Sequence, residues 1–108
     1  MGRFVAGDVV VALFPFSDLS NTKRRPALVL AEVEFGDLIL CQITSKSYSS
    51  KTAIAIEATD FASGALPVAS YIRPDKLFTI DVNLIERAAG TLKGQTLKVA
   101  LAQVRNLF

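Results

Sequence analysis

The sequence predicts a mainly β chain of the α+β class: a small, strongly bent antiparallel sheet or partly open barrel, with one C-terminal amphipathic helix across a mouth or face. Three observations carry this reading. Short runs of branched apolar residues recur along the chain, separated by Gly, Pro, Ser and Asp. The apolar period then changes near the C-terminus, where Leu97, Leu101, Val104 and Phe108 fall at helical spacing. Finally, 108 residues with 51% apolar and 20% charged composition suit a single domain, 1–108, with one packed core and no disordered half.

The first strand is expected within Val9-Val10-Val11-Ala12-Leu13-Phe14, an unbroken branched run that reads as buried on both faces and is stopped by Pro15. A polar loop follows from Pro15 to Arg25, long for a hairpin and rich in turn formers. Lys23, Arg24 and Arg25 end it, and the second strand is expected from Pro26 to Val33. Pro26 lacks a donor, fits the first residue of a strand and pushes Arg25 toward an extended conformation. Phe35-Gly36-Asp37 reads as a turn into a third strand, Leu38 to Ile43, completing an antiparallel hairpin.

The composition then shifts to the polar, basic stretch from Thr44 to Thr52, read as a surface loop. A short fourth strand is expected over Ala53 to Glu57 and a turn over Asp60 to Gly64. A fifth strand over Val68 to Arg73 should be stopped by Pro74, and a sixth should run over Leu77 to Ile80. Asp81 or Asn83 suits the cap of a helical turn over Leu84 to Ala89, with a short strand as the alternative. The last helix carries the Leu97 stripe toward a sheet. Its start is poorly capped, because Lys93 and Gly94 occupy the expected position and Thr96 comes late.

Several function classes are excluded by composition. The chain has no histidine, so a Ser-His-Asp triad, a Cys-His pair, a His-based zinc site and a His/His ribonuclease are ruled out. Cys41 is the sole cysteine; it forms no internal disulfide, rules out zinc clusters and reads as a small buried apolar residue. The longest apolar run, Val9 to Phe16, is far short of a membrane span. The N-terminus has no apolar leader core, and Ala6 spoils a myristoylation pattern, so a cytoplasmic protein is expected. A net charge of +2 permits an acidic partner without demanding one.

If the hairpin forms as read, Arg25 at the start of the second strand lies beside Thr44 and Ser45 at the end of the third. A guanidinium next to a hydroxyl pair outlines a phosphate site. Lys23, Arg24, Lys46 and Lys51 lie on the same two loops and extend the positive field. Phe16 and Tyr48 suit base stacking. Arg73 and Asp75, flanking Pro74, add a cation and a carboxylate. Each residue alone has a bland reading as loop, rim packing or surface ion pair; their joint placement points to nucleic acid.

These residues resemble the MazF/PemK family of toxins from bacterial toxin–antitoxin pairs. The resemblance runs through Gly7-Asp8-Val9-Val10, Phe14-Pro15-Phe16-Ser17-Asp18 and Lys23 to Leu30. It continues through Gln42-Ile43-Thr44-Ser45, Ser70 to Leu77, Thr79-Ile80-Asp81 and Gly90-Thr91-Leu92. It implies an SH3-like barrel, a homodimer and a metal-independent endoribonuclease with no cofactor, inhibited by a cognate antitoxin protein. Such an enzyme cleaves single-stranded RNA at short sequences by 2′-OH attack, leaving 2′,3′-cyclic phosphate and 5′-OH ends. Arg25 and Thr44 match the family's essential arginine and threonine. One branch uses an arginine and an aspartate that align with Arg73 and Asp75, making Asp75 a candidate catalytic base. That branch also has a first-loop histidine, absent here, and relatives commonly cap the last helix with Ser where this chain has Lys93-Gly94. Two alternatives stand beside the nuclease: a non-catalytic toxin of the same fold that binds a protein target such as gyrase, and a plain RNA-binding module.

Overall fold

The computed structural model describes residues 4–15, 22–46 and 51–108. Among the described residues, seven strands form one antiparallel sheet: β1 (Asp8–Pro15), β2 (Thr22–Glu32), β3 (Asp37–Thr44), β4 (Ile54–Ile56), β5 (Phe61–Gly64), β6 (Ser70–Asp81) and β7 (Ile85–Leu92). Helix α1 (Gly94–Arg105) follows. The spatial order is β4-β6-β3-β2-β1-β7-β5. The sheet curls into a half-barrel, the bent antiparallel architecture with a C-terminal helix that the sequence predicts.

Alternation along the central strands sends side chains to two faces. Val9, Leu28, Cys41, Ile43 and Ile72 are buried on one face with Ala100 of α1, and Leu97 packs against them. Val10, Ala27, Val29, Leu38 and Leu40 are buried on the other, flanked by Phe78, Ile80 and Ile85. The unbroken run in β1 therefore has the predicted cause: both faces are covered. Each fully buried Leu, Ile or Val contributes about 1.5–3 kcal/mol of transfer free energy.

Four expectations require correction. First, β2 begins at Thr22, so Lys23, Arg24 and Arg25 lie within a strand rather than at the end of a loop. The β1 register runs on through Ala12↔Arg25 and Leu13↔Arg24 to Pro15↔Thr22. Pro26 is tolerated inside β2 because pairing with β3 begins only after it, at Ala27↔Gln42. Second, β6 is one strand where two are predicted. Cys41 pairs with Leu77 and Gln42 with Arg73, so the residues between, Pro74 to Lys76, form a bulge that absorbs the proline.

Third, Phe61–Gly64 is strand β5 rather than a turn, paired with β7. Fourth, the Asp81 carboxylate does cap a turn, accepting from Asn83 N–H at 2.8 Å, but the turn covers only Val82–Leu84. A strand follows it, as in the alternative reading. The helix start is as poorly capped as expected: Lys93 makes no side-chain cap bond. Instead Thr96 Oγ1 donates to Asp60 Oδ1 at 3.1 Å and ties the first turn of α1 to the short turn that leads into β5. No helix among the described residues is long and apolar enough to cross a membrane.

Candidate functional site

The site is built where the pairing of β2 with β3 stops. Ala27 stands opposite Gln42, and antiparallel alternation carries Arg25 and Thr44, each two residues further along, to the same face. Extending that register by two residues sets them opposite one another. Both line a cleft of about 220 Å³. Ser45, Ser70 and Arg87 add polar groups to its wall, while Val11, Pro26, Ile43 and the stretch Leu66, Pro67, Val68 make the apolar part.

Thr44 is only 7% exposed. Its Oγ1 accepts from Lys46 N–H at 3.1 Å. That bond uses an oxygen lone pair and leaves the hydroxyl proton to be donated elsewhere. Ser70 is also buried, and its Oγ donates to Val68 C=O at 3.0 Å, fixing the strand end beside the cleft. Ser45 is exposed at the rim.

Arg73 stands opposite Gln42 and Tyr71 opposite Thr44, so Arg73 shares the face of Arg25 and Thr44. Asp75 lies in the β6 bulge and is gripped by Arg73 through both carboxylate oxygens: Nε donates to Oδ1 at 3.2 Å and Nη2 to Oδ2 at 3.0 Å. The Arg73 bond holds the Asp75 carboxyl below the ordinary range; it outweighs the opposing effect of burial, and the Asp75 backbone amide and the Arg73 and Lys76 charges act the same way to a lesser degree. Neither Arg73 nor Asp75 lines the cleft that holds Arg25 and Thr44.

The remaining predicted residues divide. Arg24 alternates to the face opposite Arg25, where its Nε bonds Glu86 Oε1 of β7 at 2.6 Å. Lys23 stands on β2 opposite Phe14 in the register. Lys46 and Lys51 are exposed. Phe16 and Tyr48 lie outside the described residues. Arg87 is the cation that sequence reasoning missed. It belongs to β7 and is brought to the cleft by pairing with Val11. Its one local signal is the Ile85-Glu86-Arg87 segment, which reads equally as a helical turn.

Fold and rim together describe a curled half-barrel whose open strand ends carry an arginine–hydroxyl cleft suited to an anion. The family model of PemK-like, MazF-like toxins of type II toxin-antitoxin systems matches residues 6–108. The chain belongs to that family. No curated protein sequence matches significantly. Solved structures share the fold at low identity. MazF (Form-I) from Deinococcus radiodurans is 20% identical, with 99% of this chain and 97% of that chain covered and a TM-score of 0.79. An endoribonuclease from a mycobacterial species is 16% identical, with 98% and 91% covered and a TM-score of 0.73. A mycobacterial endoribonuclease in complex with its cognate antitoxin is 18% identical, with 98% and 96% covered and a TM-score of 0.69.

Proposed function

We propose that this chain is a sequence-specific endoribonuclease, the toxin of a type II toxin–antitoxin pair, cleaving single-stranded RNA without a metal ion. The observation that carries the reading is the convergence of Arg25 and Thr44 on one cleft just beyond the last β2–β3 pair. Family membership and the endoribonuclease neighbours support it. A cognate antitoxin as protein partner, a homodimeric state and a cytoplasmic setting belong to the same proposal.

The reaction forms a bond from the ribose 2′-oxygen to the adjacent phosphorus and breaks the bond from phosphorus to the 5′-oxygen. The 2′-OH loses its proton, and the departing 5′-oxygen gains one. The products are a 2′,3′-cyclic phosphate and a 5′-OH. The nucleophile is held next to its target by the ribose itself, so proximity is supplied by the substrate. The protein's task is to stabilise charge on the non-bridging oxygens. Arg25 offers a permanent fork of donors for them. Thr44 donates its hydroxyl proton to the same phosphate, with the Lys46 amide fixing its oxygen. Ser45, Arg73, Lys46, Lys51, Lys23 and Arg24 bind the flanking backbone, and Arg87 adds charge from β7. Phe16 and Tyr48 stack bases.

The test is incubation of purified protein with a long single-stranded RNA in EDTA, beside Arg25→Ala, with the cut ends mapped. Discrete cuts ending in cyclic phosphate, lost in Arg25→Ala while the fold persists, are expected. RNA that is bound but left intact would favour a binding module. RNA that is neither bound nor cut would favour a toxin aimed at a protein.

A further inference from the structure

We propose that Asp75 is a positioning residue for Arg73 and does not itself take the 2′-OH proton; this rests on the ribonuclease reading above. The sequence Arg73-Pro74-Asp75 would ordinarily place residues 73 and 75 on one strand face, both competing for the same neighbours. Here the β3 register jumps from Arg73 to Leu77, and the intervening bulge turns Asp75 back onto Arg73. Pro74 is fully buried at the root of that bulge. Its fixed φ and buried ring give the bulge a rigid origin. The result is a fork between neighbours two residues apart, with two roughly parallel N–H···O bonds at 3.2 and 3.0 Å.

The exposures identify which partner is held and which does the holding. The Arg73 side chain is 15% exposed and the Asp75 side chain 38%. The guanidinium therefore lies in against the sheet, and the carboxylate closes over it from the solvent side. A guanidinium is planar, and fixing the Nε–Nη2 edge fixes the whole plane. The edge carrying Nη1 is then directed away from Asp75. Arg73 stands on the face that carries Thr44 and Arg25, one strand pairing from Gln42. Two long cations on one face serve a phosphate only if their planes are set beforehand, since ordering a flexible side chain during binding lowers the gain.

The same geometry makes Asp75 a poor base. Both carboxylate oxygens are engaged by one cation, and Lys76 adds a second positive charge beside them. A carboxylate stabilised in this way ionises below its usual range and has little affinity for a proton at neutral pH. A general base works best with a pKa near the working pH. Neither Asp75 nor Arg73 lines the cleft holding Arg25 and Thr44, so the pair acts beside that cleft and not within it.

The experiment measures kcat/KM on a fluorogenic single-stranded RNA from about pH 5 to about pH 9. It compares wild type, Asp75→Asn, Asp75→Ala, Arg73→Ala and the Arg73→Ala/Asp75→Ala double variant, each checked for native circular dichroism. Asp75→Ala and Arg73→Ala should each lose roughly 10-fold or more, and the double variant should be no worse than Arg73→Ala alone. All should keep the wild-type shape of the pH profile, and Asp75→Asn, which retains an acceptor oxygen, should recover part of the loss. The inference is overturned if the losses multiply in the double variant, if Asp75→Asn is as impaired as Asp75→Ala and loses an acidic limb that wild type shows, or if added formate rescues Asp75→Ala. A folded wild type that cleaves no RNA overturns the ribonuclease reading, and this inference with it.

Discussion

Gly64 and Gly90 face each other across β5 and β7 at a separation that excludes a Cβ on either one. A Cβ on Gly64 would lie 2.2 Å from the Ala89 carbonyl oxygen and 2.5 Å from Gly90 Cα. One on Gly90 would lie 2.5 Å from the Ser63 carbonyl oxygen. The nearest atom met in each case is backbone, so moving a side chain aside does not relieve the clash. Gly64 also has φ +70°, a region that costs an L-residue about 1–2 kcal/mol.

Gly64→Ala should therefore destabilise the fold by about 2 kcal/mol or more, combining strain with the clash. Gly90→Ala carries the clash without the left-handed penalty and should cost less. Urea unfolding midpoints check the order. A Gly64→Ala protein as stable as wild type would mean that β5 can separate from β7 at little cost.

The bond between Arg24 and Glu86 joins β2 to β7 across β1, with side chains 69% and 31% exposed. So exposed a pair contributes under about 1 kcal/mol. Its greater consequence is that it neutralises a cation on the proposed RNA-binding protein. Glu86→Gln should leave stability within about 0.5 kcal/mol and tighten RNA binding. If Arg24 then engages a phosphate, the salt dependence of log K should steepen by about 0.7. Binding titrations across a salt series check this. An unchanged slope would remove Arg24 from the RNA-contacting set.

Cys41 is buried in the cluster beneath α1, and burial pushes its thiol up from 9.0 to about 12. The folded state resists forming the thiolate, whereas the unfolded chain forms it freely. Stability is therefore unaffected below the unfolded pKa and is lost as pH rises from there toward the folded value. By pH 10 the loss from this group should reach about 1–2 kcal/mol. Comparing the alkaline slope of stability in wild type and Cys41→Ala isolates it from the lysines. In the native state at pH 8 the thiol should also react with a disulfide reagent only at the rate of unfolding.

What the chain disclosed depended on whether a residue's fate is local. β1 was legible because burial on both faces leaves an unbroken apolar run. The β2–β3 hairpin was legible because Gly36, at φ +78°, marks the turn. The placement of Arg25 near Thr44 followed from that hairpin alone. Lys23 to Arg25 read as loop in the sequence because their strand character comes from β1, through a register no short window contains. Phe61–Gly64 was missed because only Phe61 is buried, so no alternation exists to see. Pro74 argued for a break, and only the partner strand β3 defines the bulge that accommodates it. Arg87 went unnoticed for the same reason: Val11 brings it to the cleft.

Thr44 offers the sharpest separation of chemistry from structure. Its hydroxyl accepts from the Lys46 amide at 3.1 Å, but Lys46 is exposed and water can take over that bond. Thr44→Val keeps the shape of the side chain and removes only the hydroxyl. Stability should therefore change by no more than about 1 kcal/mol. If the hydroxyl proton goes to the scissile phosphate, cleavage should fall by about 100-fold or more, the usual loss for one donor to a developing negative charge. Thr44→Ser keeps the donor and the Lys46 bond, and should retain most of the activity. Single-turnover cleavage beside thermal melts of the three proteins checks both halves. A Thr44→Val enzyme with wild-type turnover would assign the threonine to holding the strand end, leaving charge stabilisation to Arg25 and the cations that share its face.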